Sequence, residues 1–166
     1  MSKAKVPQVF LGIDPGSRVV GWGALRWHGG CRVSLLDFGC LKVRSDEAAE
    51  KLKQIYRRVL ELLTEIRPDA VIVEEVFYGK SFQSALRIGE ARGVCILAAA
   101  EKGIPTFSYS PAEVKTAVTG NGRAHKSQVQ AMVKQLLGLS EVPQPEDAAD
   151  ALACALCHTH RLNVER

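Results

Sequence analysis

The sequence predicts an α/β domain, a mixed five-stranded sheet flanked by helices. Three observations predict it. The first 43 residues hold short apolar or alternating runs separated by Gly-rich turns, the pattern of strands in a meander. From residue 47 the apolar residues recur at three and four, the period of helices. Two further short apolar runs, 70–76 and 104–109, interleave with those helices, and strands joined by helices pair in parallel.

The elements follow in order. Residues 9–14 read as a buried strand that ends at the turn Asp14-Pro15-Gly16-Ser17. VVGWGALRW (19–27) alternates as a second strand. The His28-Gly29-Gly30 turn leads into a third, 31–43, which completes an antiparallel meander. Leu52, Ile55, Tyr56, Val59, Leu62, Leu63 and Ile66 make 47–66 an amphipathic helix, stopped by Arg67-Pro68-Asp69. AVIVEEV (70–76) is nearly all apolar, as expected for a central covered strand. Residues 81–102 form a helix rich in Ala, with Gly89 and Gly93 allowing close approach of another backbone. IPTFSY (104–109) is the fifth strand. Ser110-Pro111 opens a short helix, because Ser caps and Pro suits the first turn. Asn121-Gly122 is a turn before a helix at 126–137, and a last helix runs from about 146 to 160 after Pro143 and Pro145.

At 166 residues the chain fits one domain. We place it at 9–160, with a flexible N-terminal extension (1–8) and a C-terminal tail (161–166). An apolar fraction of 46% excludes a disordered chain. No apolar run reaches the roughly 18 residues of a membrane span, and MSKAKVPQ lacks the apolar stretch of a signal peptide. Five cysteines suit a reducing compartment better than a disulfide framework, so a cytoplasmic protein is expected. The net charge of +4 permits an anionic partner.

Acids at four positions in three segments stand out, the second position being an adjacent Glu-Glu pair. Asp14 ends VFLGID, Glu74 and Glu75 follow AVIV, and Asp147 and Asp150 open EDAADALACAL. A carboxylate at the edge of a core segment is unfavourable unless paired or bound to a cation, and no basic residue adjoins them in sequence. Each has an ordinary explanation. Asp commonly starts a Pro-Gly turn, a strand can simply end in solvated acids, and acids in a helix's first turn meet its dipole favourably. A shared divalent-cation site accounts for all of them at once, since hard cations take carboxylate oxygens. Two such ions, roughly 4 Å apart, can activate water and stabilise the leaving oxygen of a phosphodiester. Glycines 12, 16, 21 and 23 are expected to leave open space around Asp14 for a ligand. Glu74 and Glu75 point to opposite faces of their strand, and periodicity does not choose between them.

GIDPGSRVVGWG, VEEVF, EARGV, HKSQVQAMV and DAADALA, in this order and spacing, resemble the segments of the RuvC family of bacterial Holliday junction resolvases, over residues 9 to about 160. A lone GIDPGS would be weaker, because sugar kinases and actin-like ATPases carry a similar strand and turn. The resemblance implies a ribonuclease H-like fold and an Mg²⁺- or Mn²⁺-dependent endodeoxyribonuclease with two ions per subunit. It implies a homodimer that nicks four-way DNA junctions symmetrically, leaving 5′-phosphate and 3′-hydroxyl ends, and that works with the RuvA–RuvB branch-migration machinery. It carries the catalytic, metal-binding acids onto Asp14, Glu74, Asp147 and Asp150, and so chooses Glu74. It carries a DNA-contacting aromatic onto Phe77, with Tyr78 a second candidate, and phosphate-holding lysines onto Lys115 and Lys126. Lys80, Arg87 and Arg123 are further candidates for DNA backbone contact. The helix 81–102 would form the dimer interface, its competing use being close packing on its own sheet.

Cys154-Ala155-Leu156-Cys157-His158 matches haem-attachment spacing, and His160 adds a zinc-like look. An Ala/Leu helix is a better setting for core cysteines, and Cys31, Cys40 and Cys95 are likewise expected in the core. Two other functions compete with the nuclease reading: an RNase H-like enzyme acting on RNA, and a junction-binding module without catalysis.

Overall fold

The computed structural model describes residues 7–76 and 81–164. Strands β1 (Gln8–Asp14), β2 (Val19–Trp27) and β3 (Val33–Lys42) are followed by α1 (Ala48–Ile66), β4 (Ala70–Glu74), α2 (Phe82–Glu101), β5 (Thr106–Tyr109), α3 (Pro111–Thr119), α4 (Lys126–Leu136) and α5 (Glu146–Val164). The sheet order is β3-β2-β1-β4-β5. β1–β2 and β2–β3 are antiparallel, whereas β1–β4 and β4–β5 are parallel. Element order and pairing agree with the expectation from the sequence.

Alternation along the strands sorts side chains into two cores. Leu11, Ile13, Val20, Val71 and Val73 meet Ile55, Val59 and Leu63 of α1 and Cys95, Ala98 and Ala99 of α2. Phe10, Leu25, Trp27 and Ile72 meet Val114 and Val118 of α3, Val129 and Val133 of α4, and Leu152 and Leu156 of α5 on the opposite face. Each fully buried Leu or Ile contributes about 1.5–3 kcal/mol, so both faces of the central strands are committed to packing.

Local chemistry sets the boundaries. Arg67 takes a left-handed conformation (φ 51°) to end α1, and its N–H donates to the Leu63 carbonyl. Ser110 and Glu113 cap the start of α3 reciprocally. Gly29 and Gly30 have φ of 92° and 59° at the β2–β3 turn, a region that glycine adopts without a steric penalty.

Two expectations are corrected. The last helix runs on to Val164 instead of stopping near 160, because Arg161 pairs with Glu113 of α3 and Asn163 Nδ2 donates to the Gly30 carbonyl at 2.8 Å. Cys31 is exposed in the β2–β3 turn, not in the core, and Cys40 is only half-buried. Cys95, Cys154 and Cys157 are core thiols, as expected. Burial pushes the Cys95 and Cys157 thiols up to about 12 and that of Cys154 well above its ordinary value, so they stay protonated and unreactive. His158 is a core histidine: its Nδ1 lies 2.8 Å from the Tyr109 hydroxyl, and burial lowers its pKa to about 4.

Candidate active site

Strand parity brings the first two acids together. Phe10, Gly12 and Asp14 share one face of β1, and Ala70, Ile72 and Glu74 share the same face of β4. The parallel register pairs Ile13 with Val73, so Asp14 and Glu74 are the next residues on adjacent strands, both at carboxyl ends. That edge is where open α/β sheets place their ligand sites. Glu75 is exposed and lines a different cleft with Phe82, Leu86 and Arg92. The structure therefore puts Glu74, not Glu75, beside Asp14.

The second pair arrives on α5, and glycines make the approach possible. Gly12 and Gly23 face each other across β1 and β2, as do Asp14 and Gly21. A Cβ on Gly12 would collide with the Ala151 carbonyl, one on Gly21 with the Asp147 backbone, and one on Gly23 with the Leu152 side chain. The open space expected around Asp14 is thus filled at these positions by α5, and at Gly16 by the Val19 carbonyl. The close approach lays the amino end of α5, with Asp147 and Asp150, over the ends of β1 and β4.

The convergence has an electrostatic consequence. Burial, then repulsion from Glu74, Asp150 and Asp147, raises the pKa of Asp14 to about 7. Burial and repulsion from Asp150 raise Glu74 to about 7, against smaller opposing effects of Lys126 and Lys115. Asp150 is also raised, chiefly by burial. Partly buried carboxylates that repel one another suit a divalent cation. The donor set therefore fits a hard divalent cation in chemical type. It is not drawn up around an ion: among the described residues no three acidic, His or Cys groups already stand in position to hold one. Asp150 is engaged instead by Lys126, whose Nζ lies 2.8 Å from Asp150 Oδ2 and 3.1 Å from Glu146 Oε2. These bonds outweigh partial burial and hold the ammonium above its ordinary pKa.

A cleft of about 190 Å³ collects Glu74, Lys115, Lys126 and Asp150, walled by Pro111, Val114, Val129 and Ala153. Both lysines expected near the acids are therefore there, carried by α3 and α4. Arg87 lies elsewhere, lining a cleft with Ser17, Arg18 and Lys51 between α1 and α2. Arg123 is exposed in the turn before α4, where its N–H donates to Asn121 Oδ1 at 3.0 Å, and it is not among the residues lining the acid cleft. Phe77, Tyr78 and Lys80 lie outside the described residues.

Arg92 of α2 is a site-supporting residue that the sequence reading passed over. Its Nε donates to the Glu74 carbonyl at 3.1 Å and its Nη2 to Ser108 Oγ at 2.6 Å, tying the end of β4 to β5. The available signal was an arginine in an Ala/Gly-rich helix beside an otherwise apolar sheet. Glu146 was also passed over, since three of the four residues of PEDA look like an ordinary helix start.

Known proteins share this sequence pattern and fold. A family profile described as Crossover junction endodeoxyribonuclease RuvC matches residues 10–158. The crossover junction endodeoxyribonuclease RuvC of Pelotomaculum thermopropionicum is 45% identical over 159 residues, 95% of this chain and 96% of the relative. That of Photorhabdus laumondii is 49% identical over 152 residues, 92% and 87% of the two chains. Thermus thermophilus RuvC, solved in complex with Holliday junction substrate, superposes with a TM-score of 0.89 at 40% identity, covering 95% of this chain and 96% of that one. The yeast mitochondrial Holliday junction resolvase, 14% identical with a TM-score of 0.66 over 99% of this chain and 85% of its own, shares the fold. The five-stranded mixed sheet with its helices is the ribonuclease H-like fold of these structures. The chain belongs to the RuvC family of crossover junction endodeoxyribonucleases.

Proposed function

We propose that this chain resolves four-way DNA junctions by metal-dependent phosphodiester hydrolysis, with Asp14, Glu74, Asp147 and Asp150 as the cation-holding acids. The observation that carries this reading is the convergence of acids from β1, β4 and α5 on one face at the carboxyl ends of two strands. Mg²⁺ or Mn²⁺, two per subunit, would supply Lewis acidity toward the phosphate and make a water more acidic. The four acids would hold the cations and orient that water. Lys115 and Lys126 line a cleft with Glu74 and Asp150, where their ammonium groups would hold the negative phosphate in place. Water then adds to phosphorus as the bond to the 3′ oxygen breaks. The proton that the attacking water gives up would pass, directly or through solvent, to the departing 3′ oxygen, giving 5′-phosphate and 3′-hydroxyl ends.

A homodimer fits both substrate and surface. Phe82, Leu86 and Leu97 are large exposed apolar residues on α2, and Gly89 and Gly93 of the same helix have open space where a Cβ would stand. Two copies packed through this helix would set two acid clefts on equivalent strands of a four-way junction, whose two-fold axis a dimer can share. Phe77 and Tyr78, three and four residues past Glu74, would be within reach of an unpaired base, where stacking contributes about 1–3 kcal/mol. Lys80, Arg87 and Arg123 would contact the DNA backbone. Cooperation with RuvA–RuvB and action in the cytoplasm complete this reading. Among the described residues no helix is long and apolar enough to cross a membrane.

The test is cleavage of a synthetic four-way DNA junction by wild type and Asp14→Asn, with Mn²⁺ or with EDTA. Wild type should cut only with Mn²⁺, and Asp14→Asn should bind the junction without cutting it. Undiminished cutting by Asp14→Asn would remove the acid assignment. Preferential cutting of RNA over branched DNA would replace the substrate.

A further inference from the structure

Lys126 sits where its own helix disfavours it. It is the first residue of α4, and the amino end of a helix attracts anions and repels cations. Two carboxylates of another helix hold it there, Asp150 Oδ2 at 2.8 Å and Glu146 Oε2 at 3.1 Å. Glu146 and Asp150 are four residues apart on α5, one turn apart on one face. Their environments differ: the Glu146 side chain is 62% exposed and that of Asp150 only 25%. One ammonium thus spans an inner carboxylate, which belongs to the acid set, and an outer one, which does not.

Resting on the cation-binding reading above, we infer that Lys126 and the divalent cation compete for Asp150, with Glu146 as the positioning residue that keeps Lys126 when Asp150 turns to the ion. The physical reason is charge compensation. Without an ion, an inward carboxylate among other acids is unfavourable unless a cation meets it, and Lys126 does so. With an ion bound, an ammonium left beside it would be repelled. Glu146 offers that ammonium a second partner one helical turn outward. The lysine then stays at the mouth of the cleft it shares with Glu74 and Lys115, where a phosphate can take it up. Lys126 therefore has two successive roles, substitute cation and then phosphate holder. Glu146 acts only through Lys126.

The measurement is calorimetric titration of the DNA-free, full-length protein with Mn²⁺, for wild type, Lys126→Met, Lys115→Met, Glu146→Gln and the double variant Glu146→Gln with Lys126→Met. Thermal melting checks that each is folded, and Lys126→Gln serves as a second removal of the ammonium. Lys126→Met should tighten Mn²⁺ binding about fivefold, the scale of a partly exposed ion pair. Lys115→Met, which removes a cleft charge that makes no ion pair with Asp150, should tighten it no more than about twofold. Glu146→Gln should weaken binding about twofold, and that loss should vanish when Lys126 is already Met. Unchanged or weaker Mn²⁺ binding by Lys126→Met would overturn the competition. Equal gains in the two single lysine variants would reduce it to general charge. A Glu146→Gln loss that persists without Lys126 would make Glu146 a direct partner of the ion. Failure of wild type to bind Mn²⁺, or binding indifferent to Asp14→Asn and Asp150→Asn, would remove the cation-binding reading itself. Normal binding insensitive to Lys126 would remove only the exchange.

Discussion

Two sets of glycines in this chain serve opposite ends. Gly12, Gly21 and Gly23 of β1 and β2 lie under α5, where any side chain would strike the helix. Among the described residues, nothing beyond the backbone of α2 itself lies within 4 Å of where a side chain would begin at Gly89 and Gly93. In the sequence both sets read the same way, as small residues that admit a close approach. The sheet glycines are consumed by the fold, because they let α5 deliver Asp147 and Asp150 to Asp14 and Glu74. The helix glycines are left facing outward between exposed Phe82, Leu86 and Leu97, a surface suited to a second copy of the chain. Close approach inside the subunit builds the acid cluster, and close approach between subunits would pair two such clusters.

The sharpest way to break this contrast is to fill the notch. Gly12→Ala should destabilise the protein by about 3 kcal/mol, since its methyl meets backbone that cannot swing away. Urea unfolding at constant m-value checks this, and wild-type stability would mean that α5 does not depend on the notch. Mn²⁺ binding should fall with it, because the same contact seats Asp147 and Asp150.

A second effect follows from the charge that the notch forces together. Asp14→Asn should stabilise the metal-free fold at pH 8 by about 2 kcal/mol, roughly half the worth of the full shift, because solvent at this half-buried carboxyl screens it. The sign is fixed by the raised pKa. Folding lifts the Asp14 carboxyl from 3.8 to about 7, so between those values the folded state holds a proton that the unfolded state has shed. The associated stability is fully present below about 4 and is lost as pH rises through about 7. Asn lacks that loss, so its advantage should be large at pH 8 and disappear toward pH 4. Denaturation at both pH values in EDTA measures it, and a destabilised Asp14→Asn at pH 8 would mean that the carboxylate is well satisfied without an ion.

The smallest effect is expected on α2. Gly93→Ala should change subunit stability by less than about 1 kcal/mol, in the stabilising direction, because alanine is the better helix former and meets no neighbour. Gly93→Arg should leave the subunit folded and abolish the dimer in sedimentation. A dimer that survives Gly93→Arg would move the subunit interface elsewhere.

Much of the site was legible from strand grammar. The run VFLGID, ending in an acid two residues beyond Gly12, places Asp14 on the Gly12 face by parity alone. Parity only sets Glu74 and Glu75 on opposite faces of β4, and it took the family resemblance and then the β1–β4 register to choose Glu74. The i, i+3 spacing of Asp147 and Asp150 put both on one side of α5. The three acid-bearing segments also carry part of the family resemblance, since chemistry and backbone shape both restrict what can stand there. Other features were not legible, for identifiable reasons. Lys126 precedes Asp150 by 24 positions and meets it only because α4 and α5 pack side by side. Arg92 looks like a surface arginine until β4 and β5 end beneath it. Cys31 looks like a core thiol until the turn at Gly29-Gly30 carries it outward.

The sequence by itself determined the order of elements, the pairing of strands and the faces on which the acids stand, because period and turn chemistry are local properties of the chain. Tertiary structure decided what fills the space above the glycines, which cation meets Asp150 and which small-residue surface stays open. Those outcomes depend on which helix lies over which strand, and contacts between residues far apart in the chain leave no periodic trace in it.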